Sequence, residues 1–218
     1  MKRRTLMLTL GVGCPVAVAL GWGASEWMLA SQKAQPPIPS SPFGQPIGTP
    51  FALTNHNGRK VTDRDFAGRV RLVFFGFASC PDVCPTGLAY ISDALAALEP
   101  AEAGRVSALF ISVDSERDSP DLLASYIANF HPALVGLTGN EAEVQQAAKA
   151  FGAYYRKVPT EGDGYTMDHT ASIYLLDGES RLRGFLDTHE PPETATAKIR
   201  LALRGSPRSL GSGEERSS

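Results

Sequence analysis

The chain has 218 residues, 43% hydrophobic and 20% charged, the balance of an ordinary globular protein with one substantial core. Its formal net charge of −2 gives no basic footprint of the kind nucleic acid requires, so nucleic acid is not expected as a partner.

The chain opens with Met1, Lys2, Arg3 and Arg4, followed by an almost uncharged run from Thr5 to Ser25. A basic start before an apolar run directs a chain to a membrane and leaves the arginines on the cytoplasmic side. A bilayer-spanning helix needs about 20 apolar residues, and a cleaved signal peptide has an apolar region of only about 7 to 15, so length favours an anchor. Trp22, Gly23 and Ala24 form a poor small-residue cleavage site, and Cys14 reads as a buried membrane cysteine. Residues 1–30 are thus expected to be a membrane anchor or signal segment. In either case the remainder lies in an extracytoplasmic, periplasm-like compartment, where a disulfide is the default fate of paired cysteines.

Residues 31–50 carry Pro36, Pro37, Pro39, Pro42, Pro46 and Pro50 among Ser, Gln and Gly, which predicts an extended tether. The folded domain is expected over 51–204, and 205–218 reads as a disordered tail without apolar periodicity.

Within the domain, Phe51 to Leu53 and Lys60 with Val61 flank an Asn57-Gly58 turn of the hairpin kind. Apart from Arg71, Val70 to Phe77 is a continuous apolar run, as in a strand buried on both faces. A helix is predicted after the cysteines, with Leu88, Ile91, Leu95 and Leu98 on one face and an end at Glu99-Pro100. Val106 to Val113 is the next buried strand. Ser119-Pro120-Asp121 opens another helix with a cap, a first-turn proline and an acid. Val135 to Thr138 is a short strand, and Asn140 with Glu143 starts a helix running to Phe151. Ala171 to Leu176 and Leu182 to Leu186 predict a closing hairpin, and Pro192 to Leu203 a last helix. The order implies an α/β fold, a central mixed sheet flanked by helices, which is the element order of the thioredoxin fold.

Cys80 and Cys84 lie where the first central strand meets its helix, the end of an α/β sheet at which sites form. Pro81 and Pro85 lack N–H donors and fit only before a helix or in its first turn, so Cys84 is placed at or near the helix N-terminus. The partial positive charge there is expected to favour a thiolate, the reactive and metal-binding form. A disulfide closing this five-residue ring stabilises by only about 2 kcal/mol, a poor staple for a domain of this size. A redox or metal role is therefore preferred to a purely structural bridge.

Four histidines are available as a third ligand. His56 lies in the hairpin turn, His131 at a helix end before Pro132 and His189 in a polar connector, and each reads as structural or solvated. His169 precedes the strand Ala171 to Leu176, and in a thioredoxin-like topology the loop leading into that strand passes beside the cysteines. Asp82 between the cysteines and Asp168 before the histidine are candidates for orienting a ligand or meeting a partner. Asp114 and Asp118 follow a strand end, where Asp118 reads as a turn residue.

Phe75 to Pro85, Ile111 to Asp118, Gly136 to Gly139, Tyr154 to Lys157, and Asp168 with His169 together resemble the Sco/SenC family, over about Phe51 to Leu203. The resemblance implies a membrane-tethered, thioredoxin-like copper protein that assembles the binuclear copper site of cytochrome c oxidase. It implies Cys80, Cys84 and His169 as copper ligands. The copper-site subunit of the oxidase is the implied partner, with other copper chaperones or thiol reductants as further ones. Ser115 stands where that family usually has proline, away from the ligands. Two thiolates and an imidazole suit copper, sulfur favouring Cu(I) and nitrogen helping to hold Cu(II), although zinc accepts the same donors. The alternative is a thiol-disulfide oxidoreductase that uses Cys80 and Cys84 to reduce the cysteines of a copper-accepting partner. A peroxiredoxin-like peroxidase shares the fold but fits the paired cysteines and His169 less well.

Overall fold

The computed structural model describes residues 43–206. The expected segment over 1–30, most of the tether and the tail from residue 207 lie outside the described residues. Among the described residues, no helix is long and apolar enough to cross a membrane.

A hairpin of β1 (Ala52–Asn55) and β2 (Lys60–Thr62) comes first, closed by the turn read from the sequence. The chain then forms β3 (Val70–Gly76), α1 (Val83–Ala96), a short α2 (Pro100–Ala103) and β4 (Val106–Ser112). After these come α3 (Pro120–Ile127), β5 (Leu134–Thr138) and α4 (Glu141–Phe151). A second hairpin follows, β6 (Tyr155–Pro159) and β7 (Tyr165–His169), then β8 (Ile173–Leu176), β9 (Leu182–Leu186) and α5 (Pro192–Arg204).

Seven strands form one mixed sheet in the order β2-β1-β5-β4-β3-β8-β9. Strands β3, β4 and β5 are parallel at its centre, and β8 and β9 add antiparallel on one side. This is the thioredoxin-like arrangement expected from the element order. Strand β3 is buried at every position, which explains why it is apolar except at Arg71, itself buried with its guanidinium donating to Ser180 Oγ. Its Val70, Leu72 and Phe74 pack with Leu88, Ile91 and Leu95 of α1, Leu123 and Ile127 of α3, and Ile199 of α5. On the other face Val73 and Phe75 meet Val144, Ala147 and Phe151 of α4. Each fully buried Phe or Leu contributes about 1.5–3 kcal/mol.

The helix starts follow their caps. The Ser119 side chain accepts from Leu122 N at 3.2 Å, and Asn140 and Glu143 form a reciprocal capping box.

Sequence reading missed the short α2, placed where it expected only the end of α1, and the hairpin β6–β7. His169, expected in a loop leading into a strand, is the last residue of β7, and β8 begins only at Ile173. The two strands are half exposed and carry charges at Arg156, Lys157 and Asp168, so no apolar run marks them.

Seating α1 on β3 requires small residues. A Cβ on Gly87 would lie 2.7 and 2.8 Å from the Phe74 ring. Gly87→Ala is expected to destabilise the protein by about 1–3 kcal/mol through overpacking, against a helix-propensity gain of about 1 kcal/mol. Denaturant unfolding of the variant and the wild-type chain measures the difference.

Candidate metal centre

The loop after β3 turns at Ala78 and Ser79, passes through Cys80 and Pro81, and enters α1 at Val83. Asp82 is the N-cap residue, which places Cys84 in the first helical turn with Pro85 behind it. The two prolines therefore sit where their missing N–H groups leave no helical bond unmade.

Cys84 is buried and Cys80 partly so, and neither is in a disulfide. The backbone N–H of Cys84 points at Cys80 Sγ, 3.4 Å away. Beneath the pair lies Gly76, where a Cβ would stand 2.6 Å from Cys84 Sγ and 2.6 Å from the Phe110 ring. Only glycine leaves the sulfur its place.

His169 reaches this pair from the opposite side. Its Nε2 lies 3.7 Å from Cys84 Sγ, and Nδ1 lies 3.0 Å from the Thr170 carbonyl oxygen. With Nδ1 donating to that carbonyl, the Nε2 lone pair is left for a ligand, as in metal-binding histidines generally. The ring stands edge-on to Phe77 at 5.7 Å.

One donor atom from each of Cys80, Cys84 and His169 lies within 4.8 Å of the other two. Donors held about 2.0–2.3 Å from one metal lie roughly 3.5–4 Å from each other, so the observed spacing needs little closure. The donor set, two sulfurs and one nitrogen, is soft and fits copper or zinc.

The expectation of a stabilised thiolate at Cys84 is overturned. Burial pushes its thiol far above the ordinary cysteine range, and the lowering effect of a backbone hydrogen bond with Phe77 does not offset it. The helix start is right, but the sulfur faces the core rather than water, and desolvation outweighs the dipole. Cys84 is a protonated thiol at neutral pH, and a cation that binds it has to displace the proton.

The hairpin that carries His169 is a separate two-stranded sheet, marginal alone. It is held by a polar cluster at the end of β4. Tyr165 donates its hydroxyl to Asp114 Oδ1 at 2.8 Å, and Arg117 Nη1 donates to the Tyr165 carbonyl at 3.0 Å. Arg117 also pairs with buried Asp114 and lies over the Tyr165 ring at 3.8 Å. Lys157 Nζ sits 3.8 Å from the centre of that ring and binds Glu116 at 2.7 Å. Burial and the Asp114 carboxylate push the Tyr165 phenol up to about 12, which keeps it a donor at neutral pH. At the hairpin base, Thr170 N donates to the Tyr154 carbonyl, and Tyr154 N to Thr170 Oγ1, both at 2.9 Å.

The side-chain bonds of Asp82 and Asp168 go to groups other than the three donors. Asp82 accepts from Thr86 Oγ1 at 3.4 Å, and Asp168 forms an exposed ion pair with Arg156 at 3.2 Å across the hairpin. The other histidines serve local structure. His56 Nδ1 accepts from Gly136 N at 3.2 Å, His131 Nδ1 from Ala133 N at 3.1 Å, and His189 pairs with Asp187 at 2.8 Å. His131 stands beyond the end of α3, so it caps a turn and not the helix. Sequence reading did not identify Asp114, Arg117 and Tyr165 as the hairpin's anchor, because their partnership crosses from one connection to another.

Comparison with known proteins adds to this geometry. A family model described as SCO1/SenC matches residues 39–204. The human protein "Protein SCO1 homolog, mitochondrial" is 43% identical over 165 residues, covering 74% of this chain and 55% of its own length. The chain thus spans little more than half of that relative. The structure of Bradyrhizobium japonicum ScoI with copper bound shares 45% identity at a TM-score of 0.68, over 72% of this chain and 99% of that one. BsSco, described as a member of the Sco family of cytochrome c oxidase assembly proteins with a disulfide switch, shares 28% identity at a TM-score of 0.58, over 72% of this chain and 94% of that one.

The difference in burial between the two cysteines has a direct readout. Limited iodoacetamide treatment of the reduced native chain at neutral pH is expected to label Cys80 before Cys84, with Cys84 reacting only on unfolding. Peptide mass analysis checks the order, and equal labelling would contradict the burial of Cys84.

Proposed function

The chain belongs to the SCO1/SenC family, and on that footing we propose that it is an extracytoplasmic copper metallochaperone for assembly of the binuclear copper site of cytochrome c oxidase. The observation that carries the proposal is the convergence of Cys80, Cys84 and His169 from a strand-to-helix loop and a distant hairpin. The relative solved with copper bound and the relative described as an oxidase assembly protein support the same reading.

Copper is cargo in this scheme. Cys80, partly exposed, meets it first, and Cys84 and the Nε2 of His169 complete a three-donor site. Loading releases the Cys84 proton, and the two thiolates neutralise Cu(II) or leave a singly negative centre with Cu(I). Soft sulfur retains Cu(I), and the imidazole strengthens the hold on Cu(II). Transfer to an acceptor proceeds by ligand exchange at the open coordination position, again beginning at Cys80. The acceptor is the copper-site subunit of the oxidase. The basic start and apolar run of residues 1–30 support a membrane tether with the folded domain on the extracytoplasmic side.

A second reading, thiol-disulfide exchange with a copper-accepting partner, is favoured by the free, adjacent Cys80 and Cys84. It requires the dithiol and not His169, so one set of variants separates the two.

The reduced full-length chain is expected to bind one copper ion with sulfur-to-copper charge-transfer absorption. His169→Ala is expected to weaken Cu(II) binding by about tenfold to a hundredfold and to shift that absorption, while leaving metal-free reduction of an oxidised dithiol peptide unchanged. Unchanged affinity and spectrum in the variant would refute the three-donor centre.

A further inference from the structure

The residue read from the sequence as a turn former, Asp118, does something a turn does not require. Capping of α3 falls to its neighbour Ser119. Asp118 is 1% exposed, and its side chain points away from the helix, toward the loop that carries the cysteines.

That loop, residues 77–82, is supported from within by a bond from Cys80 N to the Phe77 carbonyl at 3.2 Å and by the contact between Cys84 N and Cys80 Sγ. A tie to a separate part of the chain runs from Ala78 N to Oδ2 of Asp118, at 2.9 Å. The same Oδ2 accepts from Ser112 Oγ at 2.6 Å, and Ser112 Oγ in turn accepts from Asp114 N at 3.0 Å. Asp118 is itself fixed by its main chain, since its carbonyl accepts from Thr138 Oγ1 of β5 at 2.9 Å and its N–H donates to the Asp114 carbonyl at 2.9 Å. The carboxyl group is thus clamped to the ends of β4 and β5 and extends one acceptor to the loop two residues before Cys80.

Keeping an acid there is unfavourable for folding. Its Oδ1 is buried without a hydrogen-bond partner, and among the described residues no cation is hydrogen-bonded to it. Burial raises its pKa accordingly. A buried, incompletely paired carboxyl group is costly to desolvate, so a packing duty alone would be better met by an apolar side chain.

We infer that Asp118, with Ser112 behind it, is a positioning residue for the metal centre: its double acceptance fixes the 77–82 loop so that Cys80 Sγ stays within bridging distance of Cys84 Sγ. The inference deepens the copper reading and rests on it for its biological meaning, but it has a consequence that needs no metal. The distance between the sulfurs also sets how readily they form a disulfide. With oxidised glutathione as oxidant, one cysteine thiolate attacks its S–S bond and releases one glutathione thiolate. The second cysteine then attacks the mixed disulfide and releases the other. One Cys80–Cys84 bond forms, two electrons pass to glutathione, and the two cysteine protons are lost to the medium or to the released thiolates.

The test uses the full-length chain and four variants. Asp118→Ala removes both acceptor bonds. Asp118→Asn keeps both, with its carbonyl oxygen in the Oδ2 position and its amide nitrogen in the place of the unpaired Oδ1. Ser112→Ala removes the support behind the carboxyl group. Thr196→Val removes a buried hydroxyl bond to the Ala94 carbonyl, from α5 to α1, as a control for lost stability. Metal-free disulfide closure by oxidised glutathione is expected to slow about tenfold or more in Asp118→Ala, by less in Ser112→Ala, and by under about threefold in Asp118→Asn and Thr196→Val. The Cu(II) charge-transfer band is expected to move in Asp118→Ala and Ser112→Ala and to return to its wild-type position in Asp118→Asn.

Wild-type closure rates and spectra in Asp118→Ala would overturn the inference, as would changes in Thr196→Val equal to those in Asp118→Ala. If Asp118→Ala does not fold, an unaltered closure rate in Ser112→Ala overturns it equally. A wild-type chain that binds no copper would refute the copper reading, while the closure rates would still decide the positioning role.

Discussion

The centre depends on the close approach of α1 to β3, which leaves no room for a side chain at Gly76 or Gly87. That approach puts Cys84 Sγ against the sheet, at the end of the strand that is buried along its whole length. Two consequences follow from one packing contact. The sulfur is held in a fixed place, and it is removed from water so thoroughly that it keeps its proton. A thiol in this state is shielded from reagents in solution, whereas its partner Cys80 sits at the surface edge of the same loop.

The third donor is delivered in a different manner. His169 rides on a hairpin outside the main sheet, which rests Met167 and Tyr155 on the core and is held by aromatic, cationic and carboxylate groups at the end of β4. Sulfur thus comes from the rigid interior and nitrogen from an attached arm. The end of β4 and the turn after it serve both, since Asp114 and Arg117 hold the arm while Ser112 and Asp118 hold the cysteine loop. The stretch from Ser112 to Asp118 therefore ties together the two halves of a site to which it contributes no ligand.

The sulfur half is legible in the chain because its determinants are local: an apolar strand, two prolines and a helix start within a dozen residues. The sheet's central order follows from long apolar runs, and the helix starts from Ser119, Asn140 and Glu143, whose caps act over three or four residues. The hairpin of β6 and β7 is not legible in that way, because its charged, half-exposed strands lack the periodicity that burial imposes. The protonated state of Cys84 is also hidden. The helix dipole can be read from sequence position, but the desolvation that overcomes it depends on Gly76 and Phe110 closing around the sulfur. Asp118 is misread for the same reason, since a turn position says nothing of where a carboxyl group points.

The central claim is that Cys80, Cys84 and His169 together hold one copper ion. X-ray absorption at the copper edge, recorded on the full-length chain loaded with one equivalent of Cu(II), tests it most directly. The account predicts two sulfur neighbours and one imidazole nitrogen, with the imidazole scattering lost in His169→Ala. Sulfur-only coordination in the wild-type chain, or an imidazole signal that survives the substitution, would contradict it.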